Sequence, residues 1–160
     1  MKIVLISGSN RPDSQNIALL SALPSRFKKY KFQLFDISEL PLFMDKGGDM
    51  TYPEVVMKWR QSIEMADLVV ICTPEYIHNI PATLKNALEW VTQSGELAFK
   101  RVLPITYTPS HPRGEKAMLS LLWSLQALDA TIVGQLDLYQ SDDETENLLD
   151  GALSEVLADQ

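Results

Sequence analysis

The sequence has 160 residues, of which 46% are hydrophobic and 22% charged, a composition typical of soluble globular proteins. The net charge is -7, and residues 117–160 contain nine acidic residues but no Lys or Arg. A nucleic-acid-binding protein needs a basic surface, so we expect no nucleic-acid partner. We expect no membrane partner either, because no apolar run approaches the roughly 20 residues of a membrane-spanning helix.

The N-terminal segment and the single cysteine favour one cellular location. Met1–Ser7 has one charged side chain and runs into a polar loop, which predicts a first strand and not a signal peptide. Cys72 is the only cysteine, so an internal disulfide is impossible, as suits a reducing compartment. We therefore expect a cytoplasmic protein with one domain, residues 1–160. The acidic C-terminal part is interpreted as a solvated helix face, or alternatively as a surface that repels anionic partners.

The first predicted strand, Lys2–Ser7, leads into a polar segment, Gly8–Asn16, which we call the first loop. Ser14 is a candidate N-cap for a helix over 14–29. Backbone N–H groups at a helix start, small hydroxyl groups and an arginine such as Arg11 are what a bound phosphate needs. The alternative is an ordinary turn with a capping serine. Neither Gly-x-Gly-x-x-Gly nor Gly-Lys-Ser/Thr is present, which disfavours a dinucleotide fold and a P-loop.

The middle of the chain continues the alternation of strand and helix. Phe32–Asp36 is a second predicted strand, and Asp45–Thr51 is a candidate flexible loop. A helix is predicted over 53–66, beginning at Pro53. Leu68–Thr73 is the third predicted strand, and its nearly continuous apolar character is typical of a parallel strand covered on both faces.

The segment after this strand, Thr73–Pro81, is called the second loop. Pro74 and Pro81 stiffen it, and Tyr76 offers a flat apolar surface with a polar tip. Backbone N–H groups of such a loop could hydrogen-bond the edge of a heterocycle, whereas simple packing of Tyr76 is the alternative. A helix over 81–93 follows, with apolar residues on one face.

The remaining predicted elements complete the pattern. Val102–Tyr107 is a fourth strand, weakened by Pro104, which lacks a donor for the sheet. A helix over 114–128, a fifth strand at Thr131–Leu138 and a helix over 143–158 follow. Five strands alternating with five helices predict an α/β three-layer sandwich, with a parallel sheet in the order 2-1-3-4-5. Its topological switch point places the first and second loops beside one ligand site.

These two loops resemble those of the NAD(P)H-dependent FMN reductases, a flavodoxin-like family that includes quinone, azo-dye and chromate reductases. The family's first loop reads Gly-Ser-x-Arg-x-x-Ser-x-Asn, and Gly8–Asn16 matches each defined position. The family's second motif reads Pro-Glu-Tyr-Asn, then Pro, then Leu-Lys-Asn-Ala-x-Asp/Glu-Trp. This chain has Pro74–Tyr76, Pro81 and Leu84–Trp90 at those places. The resemblance extends over essentially the whole chain.

The resemblance implies an FMN cofactor, NADPH or NADH as electron donor, and a small-molecule acceptor. A quinone, an azo compound, a flavin or a metal oxyanion would serve as acceptor. It also implies a homodimer or homotetramer with Leu84–Val91 near the contact. Because the flavin supplies the chemistry, no catalytic side chain and no metal ligand is assigned.

The predicted cofactor-binding residues fall into two groups. The resemblance implies that residues of the first loop hold the FMN phosphate, and that Pro74, Glu75 and Tyr76 lie along the ribityl chain and ring. The full predicted set is Ser9, Arg11, Ser14, Gln15, Asn16, Pro74, Glu75, Tyr76, Ile77 and Thr108.

The sequence departs from the family pattern in two places. Ile77 stands where the family has Asn, and Thr108–Gly114, called the third loop, has one glycine where the family has three. His111 or Arg113 would then fill space that the family leaves open. We interpret Arg113 as a surface residue at a helix start, with the substrate pocket as the alternative.

Other chemically active side chains have simpler interpretations. Cys72 is expected to be a small core residue and not a redox thiol. His78 is expected to be a loop or interface residue and not a proton donor. The three tryptophans, Trp59, Trp90 and Trp123, fall on predicted helices, which indicates packing or an oligomer interface. Two histidines and one cysteine, widely separated, offer no metal-ligand spacing.

Two alternatives to a reductase remain. A flavodoxin-type electron carrier would use an acidic surface to dock basic partners, although its phosphate loop usually lacks an arginine such as Arg11. A regulatory protein with a decayed flavin site is the other alternative, suggested by Ile77 and the altered third loop.

Overall fold

A parallel β-sheet forms the middle layer of the computed structural model, which describes residues 1–45 and 51–159. Its strands are β1 Lys2–Ser7, β2 Lys31–Phe35, β3 Leu68–Thr73, β4 Arg101–Thr108, β5 Thr131–Ile132 and β6 Leu136–Tyr139. The order is β2-β1-β3-β4-β5, with β6 also beside β4, and all described strand pairings are parallel. The predicted α/β fold and strand order are confirmed.

Helices pack on both faces of this sheet. Those described are α1 Gln15–Arg26, α2 Glu54–Glu64, α3 Ala82–Glu89, α4 Glu115–Ala127 and α5 Thr145–Ala158. Side chains alternate along a strand, so Val4 and Ile6 join the core beneath α2, α3 and α4, whereas Ile3 and Leu5 join the core beneath α1 and α5. No described helix is both long enough and apolar enough to cross a lipid bilayer.

The predicted fifth strand, Thr131–Leu138, is in fact two strands. β5 pairs with the start of β4 and β6 pairs with its end, so the middle of β4 is unpaired on this side of the sheet. The carbonyl of Val102 accepts a 3.0 Å hydrogen bond from the N–H of Val133, and backbone groups two residues apart along a strand point the same way. Pro104 therefore faces the break, where it has no N–H to contribute.

Several predicted helix boundaries shift by a few residues. The helix predicted over 14–29 ends at Arg26, because the chain turns there to enter β2. The helix predicted over 81–93 ends at Glu89 and continues in tighter turns with three-residue hydrogen bonds. Most of the predicted loop Asp45–Thr51 lies outside the described residues.

The three tryptophans occupy different environments. Trp59 and Trp90 are buried, and their ring N–H groups donate to the carbonyls of Ala87 and Pro41 at 2.9 and 2.7 Å. Trp123 on α4 is 68% exposed. Packing therefore accounts for the first two, while Trp123 remains available for an interface.

Candidate functional site

A cleft of about 420 Å³ opens at the carboxyl ends of β1, β3 and β4, where the topological switch point predicts a ligand site. The first, second and third loops form its walls. Nine of the ten predicted cofactor-binding residues line it: Ser9, Arg11, Ser14, Gln15, Asn16, Pro74, Glu75, Tyr76 and Thr108.

Close packing at Gly8 determines the path of the first loop. The N–H of Gly8 donates to the carbonyl of Cys72 at 2.8 Å, which holds the loop against β3. A Cβ atom at Gly8 would lie 2.5 Å from Thr73 Oγ1 and 3.1 Å from Leu84 Cδ2. Only glycine therefore fits between β3 and α3 at this position.

The first loop offers hydrogen-bond donors to the cleft. The buried hydroxyl oxygens of Ser9 and Ser14 accept from the N–H groups of Arg11 and Ile17 at 3.4 and 3.5 Å. Neither hydroxyl proton is donated to another residue within 1–45 or 51–159. The N–H groups of Gln15 and Asn16, in the first turn of α1, have no acceptor within the helix. Together with the positive end of the helix, these donors are of the kind that binds an anion.

Arg11 lies on the wall of the cleft with its side chain 65% exposed. Its guanidinium is 3.2 Å from the carboxylate of Asp13, and this hydrogen bond and charge lower the pKa of Asp13. An exposed ion pair of this kind contributes little free energy. The guanidinium of Arg11 can therefore exchange Asp13 for another anion in the cleft.

Asn16 uses its side chain inside the protein. Its Nδ2 donates to the carbonyl of Tyr107 at 3.2 Å, and its Oδ1 accepts from the thiol of Cys72 at 3.1 Å. The backbone N–H of Asn16, in the first turn of α1, is left for a ligand. Burial raises the pKa of the Cys72 thiol well above its usual range, as expected of a core cysteine.

Glu75 joins the second loop to the start of α4. Burial favours the neutral acid, but hydrogen bonds from backbone N–H groups and His78 outweigh it, so the pKa of Glu75 is lowered. The Oε1 atom lies 3.4 Å from Nδ1 of His78. The Oε2 atom accepts three hydrogen bonds of 3.1 Å from the N–H groups of Gly114, Lys116 and Ala117. The carboxylate of Glu75 thus stabilises the helix start.

Ile77 is the predicted site residue that the structure does not bring into the cleft. Tyr76 and Asn79 exchange backbone hydrogen bonds of 2.9 and 3.0 Å, so Ile77 and His78 form a tight turn with φ of 52° and 55°. This turn leaves Ile77 98% exposed. A β-branched residue is strained at positive φ, whereas Asn, the family residue, tolerates it.

The third loop places Arg113 in the cleft. The Thr108 hydroxyl donates to the carbonyl of Arg113 at 2.8 Å, and the N–H of Arg113 donates to the carbonyl of Ser110 at 3.1 Å. The side chain of Arg113 is exposed, as predicted, but the residue lines the cleft. This position suits both interpretations of Arg113, a surface residue at a helix start and a residue of the substrate pocket.

Sequence reasoning also missed other residues that line the cleft. Tyr107 and Pro109 lie at the end of β4, so the position of this strand in the predicted sheet could have identified them. Nothing in the sequence marked Gln140, which follows β6. The missed residues are Asp13, Tyr107, Pro109 and Gln140. Among the described residues, no cluster of His, Cys, Asp or Glu could hold a metal ion.

The chain is similar to known reductases. A 2-hydroxy-1,4-benzoquinone reductase from Burkholderia sp is 40% identical over 94 residues, which are 58% of this chain and 51% of that protein. A quinone reductase of Escherichia coli (strain K12) is 31% identical over 140 residues, which are 84% of this chain and 74% of that protein. The chain spans about half the length of the first curated relatives it matches.

Solved structures share the fold. A flavoenzyme NAD(P)H:(acceptor) oxidoreductase from Paracoccus denitrificans aligns with a TM-score of 0.75 at 22% identity, covering 98% of this chain and 97% of that one. The family model described as NADPH-dependent FMN reductase matches residues 1–143. The resemblance predicted from the two loops is therefore confirmed, and the chain belongs to the NADPH-dependent FMN reductase family.

Proposed function

We propose that the chain is an FMN-dependent NAD(P)H oxidoreductase whose single domain, residues 1–160, holds FMN in the cleft. One observation carries the proposal: the unused donors of the first loop face the same cleft as the second loop. A volume of about 420 Å³ lies within the range of about 300–1,000 Å³ that is typical of ligand pockets. Membership in the FMN reductase family supports the same ligand.

The phosphate of FMN would bind at the start of α1. The hydroxyl groups of Ser9 and Ser14 and the N–H groups of Gln15 and Asn16 would donate to it. Arg11 would add a charge-assisted hydrogen bond after exchanging its exposed partner Asp13. Every one of these donors is available without breaking a buried hydrogen bond.

The ribityl chain and ring of FMN would lie along the second loop and the end of β4. Pro74, Tyr76 and Thr108 line this part of the cleft. Glu75 would act indirectly, because its carboxylate already binds the start of α4. Asn16 likewise supports the cleft through β3 and β4 and would also contact FMN through its backbone N–H.

The chemistry belongs to the cofactor: bound FMN would take a hydride from NADPH or NADH and pass electrons to an acceptor. The protein would bind the flavin, orient it and leave room for the second molecule. We propose a small-molecule acceptor such as a quinone, an azo compound, a free flavin or a metal oxyanion. No side chain of the cleft is assigned as a catalytic acid or base.

The wider setting of the protein is proposed from its surface. The surplus of acidic residues supports the absence of a nucleic-acid partner, and the single cysteine supports a cytoplasmic location. We propose a homodimer or homotetramer, supported by the exposed apolar side chains of Ile77, Leu119 and Trp123. The apolar side chains within Leu84–Val91 are buried in this chain's own core, so they would not form the contact.

An Arg11→Ala variant tests the phosphate assignment. Loss of a charge-assisted hydrogen bond should weaken FMN binding by about 1–3 kcal/mol, measured by quenching of flavin fluorescence on titration of protein stripped of flavin. Lys28→Ala is the matched control, because Lys28 is exposed beyond the opposite end of α1. Equal FMN affinity in both variants would contradict the assignment of Arg11.

Rapid anaerobic mixing with NADPH separates the reductase from the alternatives. Bleaching of the flavin absorbance within seconds is expected for a reductase, whereas a flavodoxin-type carrier would stay oxidised. A colourless purified protein that gains no thermal stability from added FMN would instead favour a decayed site.

A further inference from the structure

One arginine of the cleft has no partner in the part of the chain that the structure describes. Arg113 lines the cleft, yet its guanidinium makes no hydrogen bond or ion pair with any residue within 1–45 or 51–159. The other arginines are all engaged. Their partners are Asp13 for Arg11, Glu146 and Asp150 for Arg26, Glu96 for Arg60, and the carbonyl of Val156 for Arg101.

Hydrogen bonds at both the carbonyl and the N–H of Arg113 hold its backbone in place. Thr108 binds the carbonyl of Arg113 at 2.8 Å, and Ser110 accepts from its N–H at 3.1 Å. The next N–H along the chain, that of Gly114, donates to Glu75 at 3.1 Å. The side chain of Arg113 therefore leaves the third loop from a defined point, while its guanidinium bonds to none of the residues that the structure describes. An arrangement of this kind lowers the entropic cost of binding a ligand.

The other charges that line the cleft are compensated. Asp13 balances Arg11, and three backbone N–H groups at the start of α4 bind the carboxylate of Glu75. Arg113 thus adds a positive charge that no described neighbour offsets, in a chain whose net charge is -7. Within a cleft such a charge attracts anions more strongly than it would on an open surface.

Arg113 lies on a different loop from the proposed phosphate site. It follows β4, whereas the first loop follows β1, and β3 lies between these two strands in the sheet. Strands are spaced by about 4.8 Å, so the two loops begin about 10 Å apart. The FMN phosphate would have its own donors in the first loop, so the proposed phosphate site does not require Arg113.

We propose that Arg113 binds an anionic group of the substrate that shares the cleft with FMN, and that it thereby contributes to substrate specificity. The group would be a phosphate, carboxylate or sulfonate, which a planar guanidinium binds through two parallel hydrogen bonds. This inference rests on the proposed function. Two molecules could supply the group, the nicotinamide nucleotide or an anionic acceptor, and the experiment separates them.

The test compares Arg113→Gln with the wild type in the FMN-loaded protein. Isothermal titration calorimetry measures the binding of NADP⁺, of a sulfonated anthraquinone and of its neutral hydroxymethyl analogue, so no turnover is needed. Loss of a charge-assisted contact should weaken the affected ligand about tenfold. Arg113→Lys keeps the charge without the planar fork and should retain part of the affinity, while Lys28→Gln removes a distant exposed charge and should bind as the wild type does.

Each outcome of these titrations either identifies the molecule that carries the anionic group or overturns the proposal. Weaker NADP⁺ binding alone identifies a nucleotide phosphate, and weaker binding of the sulfonated quinone alone identifies an anionic acceptor. Unchanged affinity for all three ligands overturns the proposal, as does a loss of FMN affinity like that expected of Arg11→Ala. FMN binding and bleaching by NADPH in the wild type test the proposed function separately, so that function can stand while the role of Arg113 fails.

Discussion

At the scale of single residues, the first loop depends on the absence of a side chain at Gly8. Its N–H is bonded to β3, and the space for a Cβ atom is already taken by Thr73 and Leu84. The donors of the first loop begin at the next residue, so a shift of Gly8 would also displace the proposed phosphate site.

A Gly8→Ala variant should therefore lose both stability and FMN affinity. Forcing a methyl group into this space should lower the free energy of unfolding by about 1–3 kcal/mol, measured by urea denaturation. Gly151→Ala on α5 is the control, because a Cβ atom there meets nothing within 4 Å. That substitution should raise stability by about 0.5–1 kcal/mol, so the same sign in both variants would contradict the steric explanation.

Residue identities predicted the cleft well but not the use of each side chain. Nine of the ten predicted residues line it, because both loop motifs sit at the ends of strands that the alternating pattern had already made neighbours. Asn16 and Glu75 nevertheless direct their polar side-chain atoms to the protein itself. Their partners lie far away in sequence, so only the folded chain could identify them.

At the scale of secondary-structure elements, α4 depends on a cap supplied by another segment. Its N-cap residue, Gly114, has φ of 111° and no side chain to bind the free N–H groups. Glu75 from the second loop takes that role. One carboxylate therefore fixes the position of the third loop relative to the second, and with it two walls of the cleft.

A Glu75→Gln variant tests how much this cap contributes to the free energy of unfolding. Losing the charged acceptor should lower the free energy of unfolding at pH 7 by about 1–2 kcal/mol. The pKa of Glu75 lies below its ordinary value of 4.5, so its contribution is present above that pH and disappears as the pH falls through the lowered pKa.

The difference between the wild type and Glu75→Gln should therefore shrink in acid, which urea denaturation at pH 7 and at about pH 3 would measure. Glu155→Gln is the control, because Glu155 is exposed on α5 and its side chain bonds no described residue. A stability difference for Glu75→Gln that stays constant with pH would contradict a role for the ionised carboxylate.

The split of the predicted fifth strand has its cause on a neighbouring element. Pro104 predicts a weaker strand around itself, yet β4 is continuous and pairs with β3 from Val102 to Thr106. The interruption falls on the other side, between β5 and β6. The sequence of a strand does not show which adjacent strand a proline, which has no N–H to donate, will face.

At the scale of the whole molecule, an exposed apolar region on α4 and the neighbouring turn is available for the proposed self-association. Leu119 and Trp123 lie on α4, and the hydroxyl of Ser120 between them donates to Asn79 at the base of the turn that carries Ile77. These three apolar side chains therefore belong to neighbouring parts of the surface beside the cleft. Burial of large apolar and aromatic side chains is the main source of binding free energy in protein interfaces.

A Trp123→Glu variant should dissociate the proposed homo-oligomer. A buried unpaired carboxylate would oppose association, so sedimentation velocity should show a shift from dimer or tetramer toward monomer. Leu148→Glu is the control, because Leu148 is also exposed but lies on α5. A wild type that sediments as a monomer, or an unchanged mass for Trp123→Glu, would contradict the assignment.

The sequence by itself determined the α/β class, the order of the first five strands, the two loops of the cleft and the family. These follow from local signals: the alternation of apolar runs with helical patterns, and short motifs at strand ends. The tertiary structure decided that Ile77 faces solvent, that Glu75 caps α4, and that Arg113 lines the cleft without a partner among the described residues. Each of these depends on groups distant in sequence meeting in space, and hydrogen-bond partners across such distances leave no local pattern to read.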